Sequence, residues 1–171
     1  MARSAAHRGT TRANAGETPV AVPVAGTALL LIDVINDLAF DGSDAIVASA
    51  ASMAGPLAHL KRRATARDYF VLKPKHSGFF DTTLDTLLET LRIRRVILTG
   101  IAGNICVLFT ANDAYMREYK IFAPADCIVS NTAADNDHAL RQIKTVLKGN
   151  IAASTRLRFR ASGRARTTRR Q

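Results

Sequence analysis

Between Val96 and Glu118 the sequence changes its period, and that change leaves few folds open. Val96-Ile97-Leu98-Thr99 is an apolar, β-prone run, and Gly100 and Gly103 punctuate it. From Ile105 the pattern turns helical, with Val107, Leu108, Ala111 and Ala114 at three- and four-residue steps. A strand, a tight turn and a helix follow from this. The same alternation runs along the chain. Thr27–Ile32 is a buried strand ending at Asp33, and a helix is predicted over residues 44–67 on Ile46, Val47, Met53, Leu57 and Leu60, with Pro56 marking a start or a kink. Asp68–Leu72 is predicted as a strand running into Lys73. A helix over 83–92 follows, capped by Thr82 or Thr83. Next come a strand over Lys120–Pro124, a helix over Ala134–Lys148 and a last strand over Ala152–Phe159. Such alternation indicates an α/β fold: three α/β/α layers around a mainly parallel, Rossmann-like sheet.

Open parallel sheets bind ligands at the carboxyl ends of their strands. Asp33, Lys73 and Cys106 each follow such an end, so three reactive groups from separate segments can meet in one crevice. At a helix's first turn, unpaired N–H groups and the positive dipole end favour a thiolate at Cys106. Taken singly, each residue has a plain structural reading. Cys106 would be packing, Asp33 a turn or cap, and Lys73 a solvated charge. Cys127 is read as core or turn packing, and Asp113 as a salt-bridge or surface position.

The 171 residues suffice for one domain with a substantial core. Two cysteines do not make a disulfide framework, which points to a reducing, cytoplasmic compartment. No apolar stretch reaches the roughly 20 residues of a membrane span. The net charge of +10 sits almost wholly at the ends. Arg3, Arg8 and Arg12 precede Glu17, and seven arginines with no acid occupy residues 156–171, so residues 19–155 are close to neutral. The chain therefore divides into a disordered basic extension over 1–18, a folded domain over 19–155 and an arginine-rich tail over 156–171. Nucleic acid is a candidate partner only through that tail, and a solvated tail is the plainer reading.

The segments Leu30-Leu-Ile-Asp-Val-Ile-Asn-Asp37, Val71-Leu-Lys-Pro-Lys-His-Ser-Gly-Phe79 and Gly100-Ile-Ala-Gly-Asn-Ile-Cys-Val107, continued by Thr110-Ala-Asn-Asp-Ala-Tyr115, resemble the isochorismatase-like cysteine hydrolases. That superfamily includes nicotinamidases and N-carbamoylsarcosine amidohydrolase. Pro124-Ala-Asp126 and Ala139-Leu140 match it as well. The resemblance implies a catalytic triad of Asp33, Lys73 and Cys106. It also implies an oxyanion hole from the backbone N–H groups of Ala102 and Cys106, and a cis peptide at Ile101–Ala102. His76, Phe79 and Asn104 are candidate pocket residues, with Phe79 equally readable as core. A small-molecule substrate and a homo-oligomer are expected, with no membrane.

Only 40 residues separate Asp33 from Lys73, fewer than in the family pattern. A strand with its connecting helix is missing there, so the sheet should be one strand short, leaving an open edge or a neighbour shifted inward. The same region supplies the metal ligands of the metal-containing branch, and His59, His76 and His138 stand apart in sequence. Neither a metal nor another cofactor is therefore expected. Three readings follow. The first is a cysteine hydrolase of a small amide, carbamoyl or isochorismate-like compound; the second is an impaired scaffold or binding protein; the third is an arginine-tail nucleic-acid binder.

Overall fold

The computed structural model describes residues 18–35, 44–64 and 67–161. In chain order these form β1 (Val20–Pro23), β2 (Thr27–Ile32), α1 (Asp44–Arg62), α2 (Leu84–Thr90) and β3 (Arg95–Ile101). A π-helical turn over Gly103–Val107 leads into α3 (Leu108–Met116), followed by β4 (Lys120–Phe122), β5 (Ile128–Val129), α4 (Ala133–Thr145) and β6 (Leu157–Arg160). The N-terminal extension up to residue 17 and the arginine-rich stretch beyond residue 161 lie outside the described residues.

Every residue of β3 after Arg95 is buried, as a strand covered on both faces requires. It pairs in parallel with β2 along one side, from Thr27 opposite Arg95 to Ile32 opposite Gly100. Along the other side it pairs with β4 on its first half and with β5 on its last two residues. Side-chain alternation then splits the interior. Val96 and Leu98 pack with Leu88 of α2, Ala111 and Ala114 of α3, and Leu140 and Ile143 of α4. Ile97 and Ile101 pack on the opposite face with Ile46, Met53, Leu57 and Leu60 of α1. Three layers result, as the sequence predicts. A separate parallel pair, β1 with β6, closes over the α1 side through Val22 and Leu157.

α1 runs through Pro56 and begins at Asp44, so the proline does not start the helix. The lost backbone bond is outweighed by the buried stripe Ile46, Met53, Leu57 and Leu60, which spans both halves. For α2 the cap is shared: Thr83 is the cap residue, while the hydroxyl of Thr82 accepts from the Leu84 N–H at 3.2 Å. The last strand overlaps the start of the arginine-rich stretch.

The strand expected over Asp68–Leu72 does not form. A strand needs a ladder partner, and this segment leaves α1 held by an ion pair from Lys61 to Asp68 at 2.9 Å. Val71 packs on the core, whereas Phe70 and Leu72 stand 82% and 94% exposed. Among the described strands β2 has β3 as its one neighbour, which matches the expected open edge. No helix among the described residues is long and apolar enough to cross a membrane.

Candidate active site

Asp33 leaves the carboxyl end of β2 at φ 50°, in the left-handed region that aspartate tolerates better than most residues. Its neighbour Ile32 lies opposite Gly100, so Asp33 emerges beside the end of β3. There the chain turns through a cis peptide at Ile101–Ala102, the bond the resemblance implies. The Ala102 carbonyl accepts from the N–H groups of Ile105 and Val107, both at 3.1 Å, which winds the wide turn that carries Cys106. A second clamp comes from the far side. The Asn104 N–H donates to Ser130 Oγ at 3.0 Å, Ser130 donates to Asn136 Oδ1 at 3.1 Å, and Asn136 Nδ2 donates to the Ile128 carbonyl at 3.1 Å.

Lys73 reaches this corner from the unpaired segment. Its Nζ lies 2.8 Å from Asp33 Oδ2, 3.4 Å from Cys106 Sγ and 3.2 Å from the Lys75 carbonyl. The three reactive residues of the sequence reading thus meet. His76 joins them, with Nδ1 3.8 Å from Cys106 Sγ and its ring 5.5 Å from that of Phe109. Asn104 Oδ1 is buried with no hydrogen-bond partner among the described residues.

Phe79 does not line the site. It is buried between Tyr119, at 6.0 Å, and the Arg117 guanidinium, 4.7 Å over its ring. The apolar walls of α2 and α3 claim it, which is the core alternative. Asp113 pairs with Arg117 at 3.0 Å, as a helix-surface acid would, and also accepts from Ser77 Oγ at 2.5 Å.

The charge state of Cys106 differs from the expectation. Burial pushes its thiol up, the hydrogen bond and charge of Asp33 push it further, and Lys73 pulls it down without reversing the balance. The turn beneath it is π-helical, and the nearest carboxylate opposes a second negative charge. For Lys73, burial disfavours the ammonium, but the Asp33 hydrogen bond and the negative partners outweigh it and the pKa rises. Burial and Asp33 together thus work against a thiolate at Cys106, while the contacts of Lys73 favour its ammonium.

Four contributors carry no sequence signal strong enough to single them out: Ser77, Thr110, Ser130 and Asn136. Thr110 stands one helical turn after Cys106, a spacing that marks a hydrogen bond back to the cysteine carbonyl. Ser130 and Asn136 act through contacts distant in sequence. Among the described residues no group of three or more His, Cys, Asp or Glu is placed to hold a metal ion.

Cys127 is fully buried in the core on the α1 side, and burial pushes its thiol up to about 12 from 9.0. Its folded pKa is the higher one, so its contribution to stability is complete below pH 9.0 and is lost as pH rises toward about 12. Mass spectrometry after iodoacetamide should accordingly find native protein modified at Cys106 alone below pH 9, with Cys127 labelled only in denaturant.

Residues 54–156 match the isochorismatase domain family. That span takes in Lys73 and Cys106 and stops short of Asp33. The isochorismatase family protein YaaI of Bacillus subtilis (strain 168) is 58% identical over 90 residues, covering 53% of this chain and 50% of the relative. A ureidoacrylate amidohydrolase, RutB of Methylorubrum extorquens, is 42% identical over 79 residues, covering 46% of this chain and 32% of the relative. The chain thus spans about half or less of the length of these curated relatives. An isochorismatase-like hydrolase from Alkaliphilus metalliredigens superimposes with a TM-score of 0.67 at 23% identity, over 77% of this chain and 96% of that one, a likeness of fold. With the family match extending over more than half of its residues, the chain belongs to the isochorismatase family.

Proposed function

We propose that this chain is a cysteine-dependent hydrolase of a small amide or carbamoyl compound. The observation that carries the reading is the placement of Lys73 Nζ between Asp33 Oδ2, at 2.8 Å, and Cys106 Sγ, at 3.4 Å. A buried thiol beside a carboxylate is a nucleophile paired with its base. As the sulfur attacks the carbonyl carbon, the S–H proton passes to Asp33 and the carbonyl electrons move to its oxygen. Backbone N–H groups of Ala102 and Cys106 would hold that oxyanion, worth on the order of 3 kcal/mol per donor. Collapse breaks the C–N bond, and Asp33 returns the proton to the leaving nitrogen. Water then attacks the thioester, gives its proton to Asp33 and releases the thiol. Lys73 stays an ammonium throughout and keeps the carboxylate turned toward the sulfur. The ureidoacrylate named for one relative makes ureido compounds the first substrates to try. Isochorismate-like compounds come after them.

The test joins alkylation of Cys106 against pH to turnover on a panel of small amides and ureas. Asp33→Asn removes a group that raises the thiol, so its alkylation midpoint should fall. Lys73→Ala removes one that lowers it, so its midpoint should rise. Both variants should lose turnover, and the Asp33 variant should do so despite its more reactive sulfur. Unmoved midpoints together with no turnover by the wild type would instead support a scaffold, a reading favoured by the unpaired lysine segment and the open edge of β2.

A further inference from the structure

The segment that brings Lys73 to the site has no strand ladder, yet its nitrogen meets two partners on other elements. What fixes the distance is therefore a question of side-chain tethers. Two lie just beyond His76. The buried hydroxyl of Thr110 accepts from the Gly78 N–H at 2.9 Å and donates to the Cys106 carbonyl at 2.7 Å. One side chain thus joins the lysine loop directly to the backbone of the nucleophile. The second tether is Ser77, which donates to Asp113 Oδ2 at 2.5 Å and accepts from the Phe79 N–H at 3.1 Å. A threonine hydroxyl bonded one turn back is common in helices. The bond from Gly78, 32 residues away in sequence, is not explained by that habit.

We propose that Thr110, with Ser77 as second tether, is a positioning residue that holds the Lys73 loop in register with Cys106. The proposal rests on the Asp33-Lys73-Cys106 reading above. The Thr110 hydroxyl bonds the Gly78 N–H and the Cys106 carbonyl rather than the sulfur, so it acts through the loop. Loss of register of about 1 Å costs on the order of 100-fold in rate. The charged and titratable groups facing Cys106 are Asp33, Lys73 and His76, and only Lys73 and His76 ride on the tethered loop.

The experiment compares Thr110→Val, which keeps the shape and removes the hydroxyl, with Thr110→Ser, which keeps the hydroxyl. The valine variant should lose about 100-fold in kcat with a smaller change in KM. Its Cys106 alkylation midpoint should rise by about 1 pH unit, toward that of Lys73→Ala. Thr110→Ser should restore both. A valine variant that is less stable but keeps kcat and midpoint assigns Thr110 to packing and overturns the proposal, as does a serine variant that fails to rescue. Should the valine variant not fold, Ser77→Ala reads the same midpoint, and an unmoved value there overturns it. If Lys73→Ala itself leaves the midpoint unmoved, this proposal and the triad fall together. A silent Thr110→Val beside a responsive Lys73→Ala sinks this one alone.

Discussion

Cys106→Ala is expected to lower turnover of a small amide by on the order of 10⁴-fold or more while leaving the thermal unfolding midpoint nearly unchanged. The two halves of that expectation have different sources. In the proposed mechanism the sulfur forms the covalent intermediate, and Asp33 and Lys73 act as base and cation instead. The substitution deletes a single sulfur atom from a residue that is 9% exposed, so the cavity left behind is small. Cys106→Ser should fare little better. An alcohol is a far weaker acid than a thiol, and a carboxylate cannot draw its proton as readily. Steady-state kinetics paired with a melting curve separates the halves, and retained turnover in a folded alanine variant would remove Cys106 from the mechanism.

Gly100→Ala should be the most damaging single change to the fold near the site. At Gly100 φ is +114°, and an added Cβ would lie 1.9 Å from the Ile32 carbonyl oxygen and 2.9 Å from the Ile32 nitrogen. Both obstacles are backbone atoms of the neighbouring strand, so no rotamer relieves them. β2 would have to part from β3 at the register pair next to Asp33. A cost above about 4 kcal/mol is expected, enough to leave little folded protein in a chain of ordinary stability. Gly55 provides the control. It lies inside α1 with nothing within 4 Å of where an added methyl would sit, and Gly55→Ala should stabilise by roughly 0.5–1 kcal/mol. Urea melts of the two variants settle the matter; equal stabilities would mean that the close approach at Gly100 relaxes without cost.

How much of this is legible in the sequence depends on the range of the interactions involved. β2, β3 and α1 to α4 announce themselves through local periodicity, and the rule that ligands gather at strand carboxyl ends is enough to bring Asp33, Lys73 and Cys106 together. β5 is two residues long and exists because the end of β3 offers it a partner, and β1 forms only by pairing with β6 at the opposite end of the chain. Neither has a local signal. The segment before Lys73 shows the reverse error: Tyr69, Phe70, Val71 and Leu72 look like a strand, but β-propensity without a ladder partner does not make one. Phe79 is ambiguous for the same reason, since only the positions of Tyr119 and Arg117 decide where it lies. The upward push on the Cys106 thiol is not read from sequence, because a dipole can be inferred from a turn pattern, whereas the burial of the sulfur and the balance between Asp33 and Lys73 depend on the folded geometry.

The position of β3 has a consequence for how the site comes apart. That strand holds β2, β4 and β5 at once and feeds both cores, so Asp33 and Cys106 are expected to be held until the sheet itself opens. Lys73 is carried by a segment with no ladder, whose opening costs less than the unfolding of the sheet. The lysine is therefore expected to open sooner than the acid and the sulfur. Departure of Lys73 alone, with Asp33 and Cys106 still held by the sheet, is the expected first step in the loss of the arrangement.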